Sequence, residues 1–502
     1  MQEQTNRRGK IAADPAPEVV KFIISPAIKG DLERAYQAYL DVNKAHVLML
    51  AECGIIEKDV AKAILEVTSE MAAMGQTPTF PIDPNREDIY FNLEHYLISR
   101  TGLEIGGQQH TARSRNDLVA TVTRLVARNQ FFIVCGLFNA LRQTIIDLAK
   151  RNKEAVMAGY THLQPSEPIT FGHYCSAILN AMQRDYRRIA RVYDSLNLSP
   201  LGGTSMGSST FPINRIMTAS LLGFDAPLNN SIDCVASRDY AMELTAAMAI
   251  AGNTFSRFSY DLYVWATPDY GYVEVDDSVA VCSSIMPQKK NPWTLEHIRG
   301  KASHLEGFFI SVMNALKNTP YTHCQDVAGE GVAYLWQAFD EMRASIELLN
   351  VTAKGITLHT DRMVQTARGN FCTVTELANT LVRHDKISFR AAHEIVALVV
   401  DHMIKHNKKA DEIGADVVNE IFMKLFNRKS SLTDKEIQLA LDPVKNAHSK
   451  TILGGTAPQE VERQLQAIES VLESDRAELK ERMSAVNFAK ASLEEKVKRI
   501  IA

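Results

Sequence analysis

The stretch "DLVATVTRLVARNQFFIVCGLFNALRQTIIDLAK", Asp117 to Lys150, places Val119, Val122, Leu125 and Val126, then Ile133, Leu137, Leu141, Ile145 and Leu148, at intervals that return every three or four residues. That period belongs to an α-helix with one apolar stripe. The stretch is long enough for roughly nine turns. No proline interrupts the chain between Pro84 and Pro165. Similar segments run from Phe171 to Leu198, Asp233 to Ala266, Trp293 to Asn318 and Glu330 to Ala353. Five long helices predict an all-α bundle. Several are apolar or small on more than one face, which predicts burial against further subunits.

Around this block the chain is also helical. Residues 1–113 read as an N-terminal domain of shorter helices around the Pro-rich turn "TPTFPIDPN" (Thr77 to Asn85). Residues 114–364 form the long-helix domain. Residues 365–502 read as a C-terminal helical domain, ending in a charged segment from Gln459 to Ala502 with heptad-like apolar positions. That segment is expected to be a solvated helical tail. Strand-like alternation is nearly absent; "YGYVEVDD" (Tyr270 to Asp277) has the character of a short hairpin.

The bulk numbers exclude several classes. The chain has 502 residues, 46% hydrophobic and 23% charged, ordinary for a globular protein with a large core. A net charge of −4 gives no pull toward nucleic acid or membrane. The first 25 residues lack a signal-peptide pattern, and no uninterrupted apolar run reaches membrane-spanning length. Seven scattered Cys without a C-x-x-C motif predict reduced thiols in the cytoplasm. No His or acid stands at a metal-ligand spacing, and neither a metal nor a cofactor is expected.

Three polar clusters interrupt the helices. "HTARSRND" (His110 to Asp117) precedes the longest helical stretch; its Asp and Asn are first of all caps. Ser114, Arg115 and Asn116 also bring donors to a helix start, where a carboxylate binds well. "GYTHLQPSEPITFGH" (Gly159 to His173) carries Thr161 and His162, read as the end of a long helix before a Pro-bounded turn. "SSIMPQKKNPWTLEHIRG" (Ser283 to Gly300) is a loop kinked by Pro287 and Pro292 that leads into a helix. Its hydroxyls and ammoniums on a small, apolar loop make an anion site or an activated base. "GTSMG" (Gly203 to Gly207) matches the G-x-S-x-G nucleophile elbow. It has no parallel sheet behind it, so a substrate-carboxylate loop is the better reading.

In this order, the clusters resemble the fumarase/aspartase superfamily, in particular its argininosuccinate lyase and δ-crystallin branch. The superfamily signature G-S-S-x-M-P-x-K-x-N corresponds to Cys282 through Asn291, with Cys in place of Gly. "THLQP", "SPLGG" with "FPINR", "EDIYFNLEHYL" (Glu87 to Leu97) and "FRAAHEIV" (Phe389 to Val396) resemble the same branch. The resemblance implies a three-domain all-α fold and a homotetramer with a twenty-helix core. Each active site would draw the three clusters from three subunits.

The implied reaction eliminates an amine across a succinyl unit and releases fumarate. By the same resemblance, Ser283 is the base, supported by Lys289 and loop amides. His162, oriented by Glu296, assists at the leaving amine. Thr161, Ser114, Arg115, Asn116 and Asn291 hold carboxylates, and Ser284 and Met286 touch substrate. The loop from about Val275 to Asn291 is expected to close over the site. Two departures stand out. The branch's Y-N-x-D-x-Q-E-D-K is "HCQDVAGEG" here (His323 to Gly331), and its S-I-x-x-D falls on Ala27 to Asp31. The fumarate half is kept and the arginine half is rebuilt. The expected substrate is therefore a different N-substituted aspartate, an aminopolycarboxylate such as ethylenediamine-N,N'-disuccinate (EDDS). Argininosuccinate and a non-catalytic crystallin role are the alternatives.

Overall fold

The computed structural model describes residues 13–75 and 77–502. Residues 1–12, the first part of the segment read for a signal peptide and the start of the N-terminal stretch, lie outside the described residues. An axial helix, Arg115–Arg151, is capped by Ser114 and Asp117 in a reciprocal capping box. Beside it run helices Phe171–Arg191, Asp239–Trp265, Trp293–Leu316 and Gly331–Lys354. The helical stretch read from Asp233 breaks at Ser237 and Arg238, and the one ending at Leu198 stops at Arg191.

The axial helix serves two cores. Its first turns place Leu118, Val122, Leu125 and Val126 among N-terminal helices Tyr36–Glu52, Lys58–Ala73 and Ile89–Thr101. Its later turns place Phe131, Phe138, Leu141 and Ile145 among Leu179, Leu244, Phe255, Leu295 and Leu335 of the bundle. Burial on more than one side moves the stripe. Ile133, expected inside, is exposed, while Phe131 and Val134 are fully buried. This helix is long and apolar enough to cross a membrane by composition, but 67% of its apolar window is buried in the protein. It is a core helix.

The closing helix, Pro458–Ile501, is not a solvated tail. At 44 residues it is longer than the axial helix. Val461, Leu465, Ile468 and Leu472 join the bundle core, and Leu493 and Val497 join the N-terminal core. A buried Arg142–Asp475 ion pair at 2.6 Å fixes it to the axial helix. A third, smaller core gathers Leu381, Ile395, Val399, Phe422 and Ile437.

Short strands appear where the chain must turn tightly. After Arg151 it forms strand Val156–Thr161, antiparallel to Gln164–Thr170. Thr161 and His162 therefore sit at a β-hairpin and not at a helix end. The register shifts between Ala158 and Tyr160. Gly159 allows this, because a Cβ there would meet the Glu167 carbonyl at 2.7 Å. Val273–Glu274 pairs with Thr357–Leu358, so the expected self-contained hairpin at 270–277 is instead half of a long-range ladder. Val281–Cys282 pairs with Lys290–Asn291 and closes the signature loop into a hairpin. The central helices leave Ile133, Ile250, Tyr260, Ile310, Met313 and Val351 exposed.

Candidate active site

The first cluster is held by buried polar contacts. His46 Nε2 pairs with the Thr111 carbonyl at 2.8 Å, and Arg113 donates to Asn43 Oδ1 at 2.8 Å. Tyr90 OH meets His110 Nδ1 at 2.6 Å. Burial, with Arg113 and Arg115 nearby, pushes His110 down to about 4. Ser114 Oγ accepts the Asn116 amide at 3.2 Å, and Asn116 Nδ2 donates to the Ser205 carbonyl at 3.1 Å. The "GTSMG" segment is thus a run of turns backing Asn116, with no helix directly after it; the next helix, Arg215–Leu221, begins eight residues beyond Gly207. It is not a nucleophile elbow.

Arg115 Nη1 lies 3.0 Å from Glu87 Oε2 and 2.9 Å from Asp88 Oδ2, with its guanidinium over the Phe91 ring. The resemblance implies only a substrate role for Arg115; the structure adds two carboxylate partners. Its carboxylate partners belong to "EDIYFNLEHYL", a motif that marked the family but gave no contact. Asp88 also caps helix Ile89–Thr101 by accepting the Phe91 amide at 2.8 Å. Nearby, Asp31 accepts from Tyr39 OH at 3.2 Å. Burial pushes Asp31 up to about 7 against that hydrogen bond, and the Asp88 charge pushes the same way.

Thr161 and His162 are exposed at the hairpin tip. His162 and Leu163 have φ of 55° and 57°, the left-handed pair of a two-residue hairpin turn. Glycine or asparagine is usual there, so the chain accepts local strain to present these side chains. Below the tip, Tyr160 OH meets Tyr272 OH at 2.6 Å.

In the signature hairpin, Ser283 Oγ accepts the amides of Ile285 at 3.3 Å and Met286 at 3.1 Å. The loop amides expected around Ser283 are there. Ser284, Met286 and Lys289 are exposed, and Asn291 is half-buried. Glu296 is exposed in the first turn of helix Trp293–Leu316.

The structure brings Ser114, Arg115 and Asn116 together with the 201–208 loop. Tyr321 OH donates to Asp233 Oδ1 at 2.6 Å, and Thr322 touches Met206 of that loop, which carries His323 toward the same cluster. Burial, then Arg238 and Arg115, lowers the His323 imidazole pKa. Among the described residues, no hydrogen bond or ion pair joins Thr161 or His162 to the Ser283 hairpin or to Arg115, and His162 is not bonded to Glu296. Among the described residues of one chain, the three clusters are not hydrogen-bonded to one another; Thr161, His162, Ser284, Met286 and Lys289 are exposed, and Ser114, Arg115 and Asn116 are partly buried. Gly331 does not open space. A Cβ there would meet Leu316 Cδ2 at 2.6 Å, so Leu316 fills the volume.

A lyase family model matches residues 29–307, and an argininosuccinate lyase C-terminal model matches residues 371–447. "Argininosuccinate lyase 1" of Shouchella clausii is 45% identical over 96% of both chains. Argininosuccinate lyase of Methanocaldococcus jannaschii is 35% identical over 97% of this chain and 98% of that one. Among solved structures, an EDDS lyase variant with bound fumarate aligns with a TM-score of 0.87 at 30% identity, covering 99% of this chain and 98% of that one. EDDS lyase in complex with formate gives the same TM-score and identity over 97% and 96%. The fold and these matches define a fumarate-forming carbon–nitrogen lyase. The chain belongs to the argininosuccinate lyase and δ-crystallin branch of the fumarase/aspartase superfamily.

Proposed function

We propose that this enzyme cleaves an N-substituted aspartate into fumarate and an amine, with an aminopolycarboxylate such as EDDS as the favoured substrate. The observation that carries this reading is the change at three positions. His323, Ala328 and Gly331 stand where the branch resemblance implies Tyr, Gln and Lys around the arginine half. Ala328 and Gly331 bring no side-chain donor. A charged group left without its hydrogen bonds forfeits about 1–3 kcal/mol. Losing two such contacts lowers specificity for an arginine leaving group by roughly 10²-fold or more.

The chemistry then runs as follows. Ser283 removes the proton from the carbon beside the substrate carboxylate. The electron pair passes onto that carboxylate, giving a doubly charged intermediate. The pair then returns to form the carbon–carbon double bond as the carbon–nitrogen bond breaks, and the amine leaves with a proton. A serine oxygen acts as a base only if its anion is stabilised, and the Ile285 and Met286 amides donate to Oγ for that purpose. Lys289 adds positive charge. Arg115, Ser114, Asn116, Thr161 and Asn291 hold carboxylates, with Ser284 and Met286 lining the site. His162, oriented by Glu296, serves the departing nitrogen.

These roles need the clusters to meet, and we propose that they do so in a cytoplasmic homotetramer whose sites are shared among subunits. The exposed apolar residues of the central helices and the separation of the clusters within one chain support this. The three-domain division at 113/114 and 364/365 belongs to the same reading. Argininosuccinate is the second candidate, favoured by the name of the 45% identical relative. Side-by-side kinetics, read at the ultraviolet absorbance of fumarate, test the proposal. A higher kcat/KM for EDDS is expected; a clear preference for argininosuccinate overturns it.

A further inference from the structure

The two adjacent lysines of the signature hairpin have different surroundings. Both are exposed, but Lys290 Nζ lies 2.9 Å from Glu274 Oε1 and 2.6 Å from Asp277 Oδ1. Lys290 is on the returning strand, opposite Cys282, the residue before Ser283. Among the described residues, it is the only one between 281 and 291 whose side chain forms a hydrogen bond or ion pair with the rest of the chain. Ser283 Oγ is engaged only within the loop.

The backbone segments that carry the two acceptors are braced, while their carboxylates reach solvent, Asp277 almost fully. Glu274 lies in the ladder with Thr357, and His359 Nε2 is 3.5 Å from its second oxygen. Asp277 opens a single helical turn ending at Val279, whose carbonyl accepts Thr294 Oγ1 at 3.3 Å. Thr352 in turn donates to Thr294 Oγ1 at 3.0 Å. One ammonium thus ties the hairpin to the 274–277 segment, which the Thr357 ladder and Thr294 brace.

From this geometry we propose that Lys290 is a positioning residue, a tether that holds the signature hairpin in the register that Ser283 needs. The proposal rests on Ser283 acting as the base. An exposed ion pair is readily screened and re-formed, which suits a loop that must admit substrate and then hold still. The tether acts on the chemical step and not on folding.

The test compares Lys290→Met and Lys290→Arg with the wild type, using EDDS and argininosuccinate as substrates. In Lys290→Met, kcat is expected to fall about tenfold or more, with KM changed less than about threefold. Lys290→Arg should recover much of that rate, and the melting temperature should not move. Raising salt from about 50 to about 500 mM should slow the wild type more than Lys290→Met. Wild-type kcat in Lys290→Met overturns the tether. So does a loss that Lys290→Arg does not restore, or one accompanied by a lower melting temperature. Ser283→Ala measured alongside separates the two ideas. An active Ser283→Ala removes the base assignment, while an inactive Ser283→Ala beside a fully active Lys290→Met removes only the tether.

Discussion

Asp117 Oδ2 accepts the backbone N–H of Thr204 at 2.9 Å, joining segments 87 residues apart. The same oxygen accepts the Gly202 amide at 2.8 Å, and Oδ1 accepts Ser114 N at 3.0 Å. One fully buried carboxylate therefore holds three backbone donors. It fixes the start of the axial helix against the loop that backs Asn116. Burial pushes Asp117 up to about 6, and those three donors keep it from rising further.

Asp117→Asn should expose this dependence. An amide cannot accept at both atoms, so at least one backbone N–H would face another donor. A cost of about 1–3 kcal/mol is expected in urea denaturation, with a raised KM because Asn116 loses its backing. An unchanged denaturation midpoint would show that the loop is held by other contacts.

Ser283→Ala should lose about 10²–10⁴-fold or more in turnover while remaining folded and still binding fumarate. Stopped-flow or steady-state absorbance of fumarate reads the rate. Near-normal turnover would remove Ser283 from its role.

Shared sites predict complementation. Inactive Ser283→Ala and His162→Asn subunits, dissociated and reassociated together, should regain part of the activity, because some sites would then draw both intact residues from different chains. A fully active monomer in sedimentation would refute the shared site.

The Asp31 carboxyl predicts a pH effect on stability. Its folded pKa, about 7, lies above the unfolded value of 3.8. Its contribution is complete below the unfolded value and is lost as pH rises through about 7. Asp31→Asn removes this cost of ionisation. The variant should gain about 1–3 kcal/mol relative to the wild type as pH rises from about 4 to about 7, after allowing for partial exposure, and no more above that. Parallel stability–pH curves would contradict a raised Asp31.

Much of the fold is legible in the sequence because period and caps are local signals. The axial helix starts at its Ser114–Asp117 box and keeps a helical period for 37 residues. What the period does not tell is how many sides one chain covers: Ile133 keeps the helical spacing yet is exposed, while Phe131 and Val134 beside it are fully buried. Val461, Leu465, Ile468 and Leu472 show the same spacing whether a helix projects into water or docks on partners hundreds of residues away. The hairpin at 156–170 is hidden by two prolines and a glycine bulge, which remove the alternation that marks a strand. At the candidate site, the ten-residue signature points directly to Ser283, Lys289 and Asn291, which share one hairpin. Asp117 is harder to read, because an Asp at that position is already explained as a cap, and its second oxygen finds Gly202 and Thr204 only through tertiary folding.

The closing helix has a consequence for biosynthesis. Leu493 and Val497 complete a core whose other members, such as Leu40, Leu65 and Leu93, leave the ribosome several hundred residues earlier. Until the final turns emerge, that N-terminal assembly has an open apolar flank. Vectorial synthesis, in which early domains usually finish first, is reversed for this part of the protein. The nascent chain carries that open flank until Leu493 and Val497 arrive to cover it.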